Sequence, residues 1–443
     1  MFLSARALLA ATLMLSFHTN AESTELARRA FMGIGMAAVP EAVRSENKLP
    51  TGEGILIERV SPGSSAEAAG LQAKDIVLKL DGETIRTMAD ISAAIRKKRA
   101  GDSFTLSLLR AGKPMEQKVG LIGLPHETSP DHEAIYEAVE AAGARRRTII
   151  TKPKQDGRKP AVLFVGGIGC YSMDYPFDRE TPYRQLVESL SRDGFVTMRV
   201  EKSGMGDSEG EACARVNLET EVEGYVAGLK DLKTKPYVNP EKVFIIGHSI
   251  GGIVGPLVAD REPVRGIVAA ETIGSTWFEY ELINRRRQLK LEGMPSAKIG
   301  AQMQLKQWCM HQLLIARHPR AEILEKRPAC AEEMKIPSSD AYLQQIAAID
   351  LPDLWTRLKP DTLLVYGSAD FLTSAEEHRE VLDTVNAARP GAATFVEIAG
   401  MDHSFYRMKD QKESFVARRE DKEGEYNPEA GRVIGEWLKA RAN

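Results

Sequence analysis

A serine between two glycines, directly after a run of apolar residues, is the strongest chemical signal in this chain. The apolar run at 243–246 predicts a buried strand, and the motif Gly-His-Ser-Ile-Gly follows it at 247–251. A strand that turns sharply into a helix at such a motif exposes the serine hydroxyl above the sheet. The glycines suit this turn, because side chains there would collide with the strand and the helix that it joins. The pattern therefore predicts that Ser249 is a nucleophile for acyl transfer.

The composition argues against several other classes of function. The chain has 443 residues, 43% of them hydrophobic, and a formal net charge of −3, which is typical of an ordinary globular protein with two domains. A balanced charge gives no basis for expecting a nucleic-acid partner or an anionic membrane surface. No glycine loop matches a complete nucleotide-binding motif, and the cysteines lack zinc-site spacing. We expect neither a cofactor nor a metal.

The first residues have the pattern of a secretory signal peptide. Arg6 precedes an apolar stretch at 7–17, which is too short to span a bilayer with ease. Small residues at 19–21 predict cleavage after Ala21, so 1–21 is taken as the signal peptide. We expect a periplasmic or secreted mature protein with no stable membrane span. The alternative is an uncleaved anchor.

Residues 30–122 are predicted to form a small β-rich unit. A strand over 54–60, a helix over 89–98 and a hairpin over 103–121 follow one another, with Gly-containing turns between them. Their order and the residues at 32–35, 60–66, 69–76 and 109–113 resemble a bacterial PDZ domain of the kind attached to HtrA-type proteases.

This resemblance implies a peptide-binding groove between the strand after Gly33 and the predicted helix 89–98. Backbone N–H groups of Met32, Gly33 and Ile34 are expected to bind the C-terminal carboxylate of a partner protein, whose peptide adds a strand to the sheet. The alternative is a PDZ fold that serves only as a spacer.

The rest of the chain has a different organisation. Residues 123–146 are predicted to be a linker, and the basic run at 145–147 is interpreted as solvated surface. From 147 to 443, fully apolar strands alternate with amphipathic helices, which indicates an α/β fold with a doubly wound, mostly parallel sheet. Residues 277–350 have helical spacing without a strand signal, so we expect a helical lid there.

Together with the serine motif, residues 147–443 resemble an α/β-hydrolase of the secreted esterase and S33-like peptidase group. In this fold the catalytic residues follow the chain order serine, acid, histidine. The resemblance implies Asp370 as the acid, just beyond the predicted strand at 363–366, and His403 as the base, in a loop beyond the last strand.

Two neighbours of these residues offer alternatives. Asp402 competes for the role of acid, although it adjoins His403 in sequence and is expected to point awkwardly. His248, inside the serine motif, is interpreted as a packing residue of the turn rather than as a base.

The resemblance also implies an oxyanion hole of two backbone N–H donors. One is Ile250, which follows the nucleophile, and the other lies in the glycine-rich loop 166–170. We expect Ile168 there, with Gly167 or Gly169 as the nearest alternatives. A second glycine-rich loop at 202–210 is interpreted as a structural element beside the active site.

Four cysteines in an exported protein predict disulfides, and three pairings are open. Within the resemblance, Cys170 and Cys213 lie in loops that leave neighbouring strands at one edge of the sheet, whereas Cys309 and Cys330 both lie in the lid. We therefore expect Cys170–Cys213 and Cys309–Cys330.

Three functions remain open at this point. The first is an exported serine hydrolase that cleaves small carboxylic esters and carries a PDZ module for peptide or protein binding. The second is a serine peptidase of the S33 aminopeptidase or prolyl-oligopeptidase-like kind; cleavage near a free amine would need acidic lid residues, for which Glu279, Glu281 and Glu292 are candidates. The third is an inert PDZ-based binding protein, against which the complete set of catalytic residues argues.

Overall fold

The computed structural model describes residues 26–443, and the predicted signal peptide lies outside them. Within these residues the chain forms two sheets, which belong to separate hydrophobic cores. We call residues 26–124 the N-terminal unit and residues 125–443 the C-terminal unit. None of the helices within 26–443 has the length and apolar character that a transmembrane span requires.

The N-terminal unit is an antiparallel sheet with short helices. Its elements are β1 (Ile34–Ala38), α1 (Glu41–Glu46), β2 (Ile55–Val60), α2 (Ser65–Ala68), β3 (Ile76–Leu80), β4 (Glu83–Thr84), α3 (Met88–Arg96), β5 (Ser103–Arg110) and β6 (Lys113–Gly120). The strand order is β1-β2-β3-β5-β6, with β4 beside β3. Phe104, Leu106 and Leu108 alternate along β5 and enter the core, as the period of a half-buried strand requires. β1 lies at one edge of the sheet.

The C-terminal unit is built on one eight-stranded sheet. Its strands are β7 (His132–Ala141), β8 (Ala144–Pro153), β9 (Lys159–Val165), β10 (Val196–Val200), β11 (Val238–His248), β12 (Gly266–Ala270), β13 (Asp361–Gly367) and β14 (Ala393–Ile398). Their order is β14-β13-β12-β11-β9-β10-β8-β7. β9 to β14 are parallel, and β8 pairs antiparallel with both of its neighbours, β7 and β10. The predicted mostly parallel sheet is confirmed.

Helices cover both faces of this sheet because its central strands are apolar on both sides. The helices are α4 (Pro182–Arg192), α5 (Leu218–Thr234), α6 (Gly251–Arg261), α7 (Trp277–Leu291), α8 (Ser296–Met310), α9 (Arg320–Lys326), α10 (Cys330–Glu333), α11 (Asp340–Ala347), α12 (Leu351–Arg357), α13 (Ala375–Ala388), α14 (Gln411–Arg419) and α15 (Pro428–Ala442), with a 3-10 turn at Cys213–Arg215 and a π-helical turn at His311–Ile315. α4 and α15 pack on one face, and α5, α6 and α13 on the other.

The helices α7 to α11 occupy the place of the expected lid, between β12 and β13. Cys309 on α8 is bonded to Cys330 on α10, as the sequence led us to expect. Lys306 on α8 also forms a buried ion pair with Glu281 on α7, with 2.7 Å between Nζ and Oε2. These bonds join three lid helices into one layer.

The expected linker at 123–146 is wrong in its second half. Residues 132–153 form the hairpin β7–β8, which extends the large sheet by two strands. Arg146 and Arg147, interpreted as solvated surface, are 2% and 0% exposed. Arg147 donates to the Asp207 carboxylate and to the Leu26 carbonyl, so its buried charge is compensated. The buried charge is tolerated because hydrogen-bond partners compensate it. These partners come from distant parts of the chain, so the local sequence does not reveal them.

Arg28 joins the two units. Its guanidinium lies 2.5 Å from an Asp207 carboxylate oxygen and 2.7 Å from one of Asp174, and it also donates to the carbonyls of Leu124 and Pro125. The Arg28 side chain is only 10% exposed, and those of both aspartates are 3% or less. Asp174 and Asp207 lie in the loops that follow β9 and β10. The N-terminal unit is therefore anchored on loops at the carboxyl end of the parallel strands.

We expect Arg28→Ala to lower the free energy of unfolding by about 2–4 kcal/mol, because it leaves Asp174 buried without its cation and weakens the compensation of Asp207. Urea denaturation followed by circular dichroism measures the change. Arg96→Ala, at the exposed last turn of α3, is the matched control and should change stability by no more than about 0.5 kcal/mol. Equal stability of the two variants would contradict the anchoring role.

Candidate active site

Ser249 lies where β11 turns into α6. Its φ of +57° is left-handed, a strained conformation that the surrounding backbone must enforce. A Cβ at Gly247 would lie 2.0 Å from the carbonyl oxygen of Gly251, and a Cβ at Gly251 would lie 2.2 Å from that of Val165. Both glycines are therefore required by sterics, as expected from the sequence. The turn places Ser249 at the carboxyl end of the parallel strands.

Asp370 and His403 form a hydrogen-bonded chain with Ser249. His403 Nε2 is 3.0 Å from Ser249 Oγ, and His403 Nδ1 is 2.9 Å from Asp370 Oδ2. Asp370 is fully buried and also accepts hydrogen bonds from Leu372 and Thr373. Burial opposes its charge, but His403 and the hydrogen bonds outweigh burial and hold the pKa of Asp370 below its ordinary value. An ionised Asp370 is suited to orient the imidazole and to stabilise an imidazolium.

The alternative acid, Asp402, bonds to its own loop instead. Its Oδ1 accepts from the N–H groups of Ser404 and Tyr406, and its Oδ2 accepts from the hydroxyl of Ser414. These contacts fix the loop that carries His403, while the imidazole itself contacts Asp370. The geometry favours Asp370 as the acid.

Glu271, which the sequence analysis did not single out, lies next to Asp370. It follows β12 directly and has a φ of +51°. The neighbouring strands β11 and β12 are thus each followed directly by a residue in the left-handed conformation. A carboxylate oxygen of Glu271 lies within 4.8 Å of ligand atoms of both Asp370 and His403, and Glu271 is fully buried. Burial first, and then the charge of Asp370, raise the pKa of Glu271 well above its ordinary value.

A neutral Glu271 carries a proton that it can donate to Asp370. Two carboxyl groups in one buried site share a single negative charge, and the hydrogen bonds described above place that charge on Asp370. The three groups could also be considered as metal ligands, but His403 Nδ1 and Asp370 already bond to each other. We therefore assign Glu271 as a positioning residue for Asp370, the candidate acid.

His248 supports the backbone of His403. The His248 Nε2 atom is 2.7 Å from the carbonyl oxygen of His403 and donates to it, and its Nδ1 accepts from the Tyr183 hydroxyl at 2.5 Å. Burial, followed by the charge of His403, lowers the pKa of His248 to about 3, so one neutral tautomer satisfies both bonds. His248 is thus more than a packing residue, because it positions the loop of the candidate base.

Gly167 and Ile168 lie beside the nucleophile. A Cβ on Gly167 would be 3.5 Å from Ser249 Cβ, and Ile168 lines the cavity that contains Ser249. The Gly167 carbonyl accepts hydrogen bonds from Lys202 Nζ at 2.8 Å and from the Tyr171 hydroxyl at 3.1 Å. The Gly167 carbonyl and the Ile168 N–H belong to one trans peptide group, in which they point in opposite directions. The hydrogen bonds to the carbonyl therefore turn the N–H of Ile168 away from Lys202 and Tyr171.

The N–H groups of Ile168 and Ile250 are available as donors. Within residues 26–443 neither has a protein acceptor. Ile250 also lies at the beginning of α6, where the helix dipole favours negative charge. The Cys170–Cys213 disulfide, with S–S 2.02 Å, ties the Ile168 loop to the second glycine-rich loop. The two donors expected from the sequence are therefore brought together beside Ser249.

A cavity of about 300 Å³ opens at Ser249. Ile253, Ile273, Trp277, Tyr280 and Leu372 give it a mainly apolar and aromatic wall. A second cavity of about 520 Å³ adjoins it, since Tyr183, His403, Ser404 and Arg418 line both. A site of this kind suits a small molecule with an apolar body and few polar groups.

The three acidic lid candidates do not line the cavity at Ser249. Glu279 caps α7 through Thr276, Glu281 is paired with Lys306, and Glu292 is 3.1 Å from Arg419. The acidic residue that does line it, Glu271, is fully buried, and burial raises its pKa well above the ordinary value. Among the described residues, no exposed carboxylate is therefore placed to bind a free amine next to Ser249.

Met32, Gly33 and Ile34 lie at the beginning of the edge strand β1. Gly33 has a φ of +69°, and a Cβ there would lie 2.2 Å from Ser64 Cβ, so the position requires glycine. The structure thus brings the three expected carboxylate-binding residues to one end of an unpaired strand edge, as a peptide-binding groove would need.

Three features define the class of this protein: the mostly parallel sheet, the small antiparallel unit, and a serine at a strand-to-helix turn that is followed along the chain by an acid and a histidine. Together they define a serine hydrolase of the α/β class joined to a PDZ domain. Comparison with protein families agrees. The model of the family described as serine aminopeptidase, S33, matches residues 178–409, which is more than half of the chain, and a PDZ-domain model matches residues 56–110. The chain belongs to the S33 serine aminopeptidase family and carries an N-terminal PDZ domain.

Individual relatives match only parts of the chain. Esterase EstD of Thermotoga maritima is 29% identical over 119 residues, which cover 27% of this chain and 28% of EstD. The periplasmic pH-dependent serine endoprotease DegQ of Escherichia coli is 30% identical over 115 residues, covering 26% of this chain and 25% of DegQ. The chain thus spans about a quarter of the length of these curated relatives. The solved structure of Est1E from Butyrivibrio proteoclasticus aligns over 70% of this chain and 98% of its own, with 14% identity and a TM-score of 0.44.

Sequence reasoning missed Glu271 and Tyr183, and it assigned no individual supporting role to Lys202, in the loop 202–210, or to Arg287, in a basic run that was interpreted as a solvated helix face. Glu271 and Lys202 share a signal, since each is a charged residue just beyond the end of an apolar strand. Arg287 of α7 donates to the carbonyls of Phe371 and Thr373 and so connects the lid to the Asp370 loop. No motif marks Tyr183 or Arg287, whose partners are distant in sequence.

We expect Glu271→Gln to keep ester turnover within about threefold, because glutamine remains a neutral donor to Asp370, and Glu271→Ala to lower kcat about tenfold or more. Steady-state hydrolysis of p-nitrophenyl acetate measures both variants, with circular dichroism as the control for folding. A Gln variant as impaired as the Ala variant, with both folded, would contradict the role of Glu271 as a neutral donor to Asp370.

Proposed function

We propose that this protein is an exported carboxylic-ester hydrolase that works through Ser249, His403 and Asp370. Ser249 Oγ attacks the ester carbonyl carbon while His403 Nε2 accepts its proton, and Asp370 stabilises the resulting imidazolium. The N–H groups of Ile168 and Ile250 bind the oxyanion of the tetrahedral intermediate. When this intermediate collapses, the bond to the alcohol oxygen breaks, and His403 gives its proton to the departing alcohol.

The second half of the reaction releases the acid. His403 takes a proton from a water molecule, whose oxygen attacks the carbonyl carbon of the acyl-Ser249 ester. The same two N–H groups hold the second oxyanion. Collapse then breaks the bond to Ser249 Oγ, which regains its proton from His403, and the carboxylic acid leaves.

The observation that carries this proposal is the continuous chain from Ser249 Oγ to His403 at 3.0 Å and from His403 to Asp370 at 2.9 Å. A binding protein with an inert hydrolase fold has no need of this alignment, of the strained serine or of a buried ionised acid. The geometry therefore counts against the inert alternative.

The charges around the cavity favour an ester over an aminopeptidase substrate. An enzyme that binds a free amine next to the scissile bond needs an exposed carboxylate there, and the described lining residues provide none. The permanently charged residue on that wall is the cation Arg418, which repels an ammonium group. The name of EstD describes that relative as an esterase, which agrees with this choice.

Export and peptide binding belong to the same proposal. The signal pattern at 1–21, two disulfides and a PDZ domain similar to that of the periplasmic DegQ support a role outside the cytoplasm. The edge of β1 with Met32, Gly33 and Ile34 supports binding of a protein C-terminus, which would recruit the hydrolase to a partner.

Labelling with a fluorophosphonate tests the nucleophile. We expect the mature protein to be labelled, Ser249→Ala to lose labelling completely, and Ser208→Ala to keep it. Ser208 is a matched control, because it lies in a second Gly-x-Ser-x-Gly sequence but bonds to Arg147 and Glu201 within a structural loop. Labelling that survives in Ser249→Ala would refute the assignment.

A substrate panel tests the reaction. We expect p-nitrophenyl esters of short acids to be cleaved, with a loss of about a thousandfold or more in kcat for His403→Ala. Peptide amides and aminoacyl anilides should be cleaved far more slowly. Preferred cleavage of aminoacyl anilides would establish the aminopeptidase alternative instead.

A further inference from the structure

Arg418 lies at the junction of the two cavities near Ser249. It is in the last turn of α14, is exposed, and lines both the cavity of about 300 Å³ that contains Ser249 and the adjoining cavity of about 520 Å³. Its charge acts on the interior of the site, because it contributes to lowering the pKa of His248, after burial and His403. Arg418 thus borders the space that a substrate must occupy.

Arg418 is also a cation without a protein partner. Within residues 26–443 it makes no ion pair and no side-chain hydrogen bond, whereas its neighbour Arg419 is paired with Glu292 at 3.1 Å. Arg287 of the lid also has partners, because it donates to two backbone carbonyls. An arginine left unpaired beside a catalytic serine has its planar set of donors available for a ligand.

The surroundings of Arg418 indicate where an anion would be accepted. On the Ser249 side the lining is mainly apolar, and the carboxyl group among the lining residues, that of Glu271, is fully buried. On the outer side Asp421, Lys422 and Glu423 also line the cavity, and Lys422 is 2.7 Å from Glu420. A negative group is therefore favoured on the inner side, between Arg418 and the apolar wall, and disfavoured towards Asp421 and Glu423.

We propose that Arg418 binds a carboxylate of the substrate, so that the preferred substrates are esters carrying a second, ionised carboxyl group, such as half-esters of dicarboxylic acids. The apolar wall accommodates the hydrocarbon between the two ends, while the ester carbonyl lies at Ser249 and the carboxylate at the guanidinium. This inference rests on the proposed ester hydrolase function.

Matched substrates test the preference. Monoethyl adipate carries a carboxylate where ethyl 5-carbamoylpentanoate carries a neutral amide of nearly equal shape, and a pH-stat follows hydrolysis of both. We expect the mature protein to prefer the carboxylate by about ten- to hundredfold in kcat/KM, mainly through KM, because a charge-assisted hydrogen bond contributes on that scale. Arg418→Gln should abolish the preference, and Arg419→Gln should retain it. A preference unchanged in Arg418→Gln, or absent from the wild type, would overturn the proposal.

Binding to an inactive variant separates this inference from the proposed function. Calorimetry with monoethyl adipate uses Ser249→Ala and the double variant Ser249→Ala/Arg418→Gln. If no ester is hydrolysed but Ser249→Ala binds the half-ester at least about tenfold more tightly than the double variant, the proposed reaction fails and the carboxylate site stands. If esters are hydrolysed and the two variants bind the half-ester equally, the reaction stands and the site is refuted.

Discussion

The backbone of Ser249 is the constraint on which the catalytic unit depends. Its left-handed turn brings the first residues of α6 so close to β11 and β9 that positions 247 and 251 admit no side chain. The atom that excludes a side chain at 251 is the carbonyl of Val165, the last residue of β9. Because β9 continues directly into Gly167 and Ile168, the contact that strains the serine also brings the oxyanion loop beside it. Ser249 and the two candidate oxyanion donors are thus placed by one close approach of three elements.

The second organising principle is that the buried site holds very little net charge. Burial shifts the pKa of Glu271 and the pKa of His248 towards the neutral form of each side chain, and the neutral His248 donates a hydrogen bond to the carbonyl of His403. The negative charge beside His403 is on Asp370, where His403 and backbone donors compensate it. In such a site the two N–H donors stabilise an oxyanion more strongly, because few competing charges surround them.

Much of this organisation was predictable from local patterns. The fold class, the PDZ and hydrolase resemblances and the mostly parallel sheet are confirmed, because strand periodicity and glycine turns are properties of short segments. The roles of Ser249, Asp370 and His403 stay predictions, although the structure brings all three together. The hairpin at 132–153 was missed because burial of Arg146 and Arg147 depends on distant partners such as Asp207. Glu271 belongs to no motif, and although it directly follows an apolar strand, its proximity to Asp370 depends on the fold and not on the local sequence.

The contact between the two units brings the PDZ domain close to the outer cavity. Arg28 bonds to loops that follow β9 and β10, and a few residues later the Phe31 ring lies 4.9 Å from that of Phe177. A Cβ at Gly33, in the expected carboxylate loop, would lie 3.2 Å from the Phe31 ring. Phe177 in turn belongs to the segment between Tyr175 and Thr181, both of which line the outer cavity. A peptide bound at β1 would therefore lie one aromatic contact from the segment that lines the outer cavity, a proximity that a freely tethered recruitment module would lack.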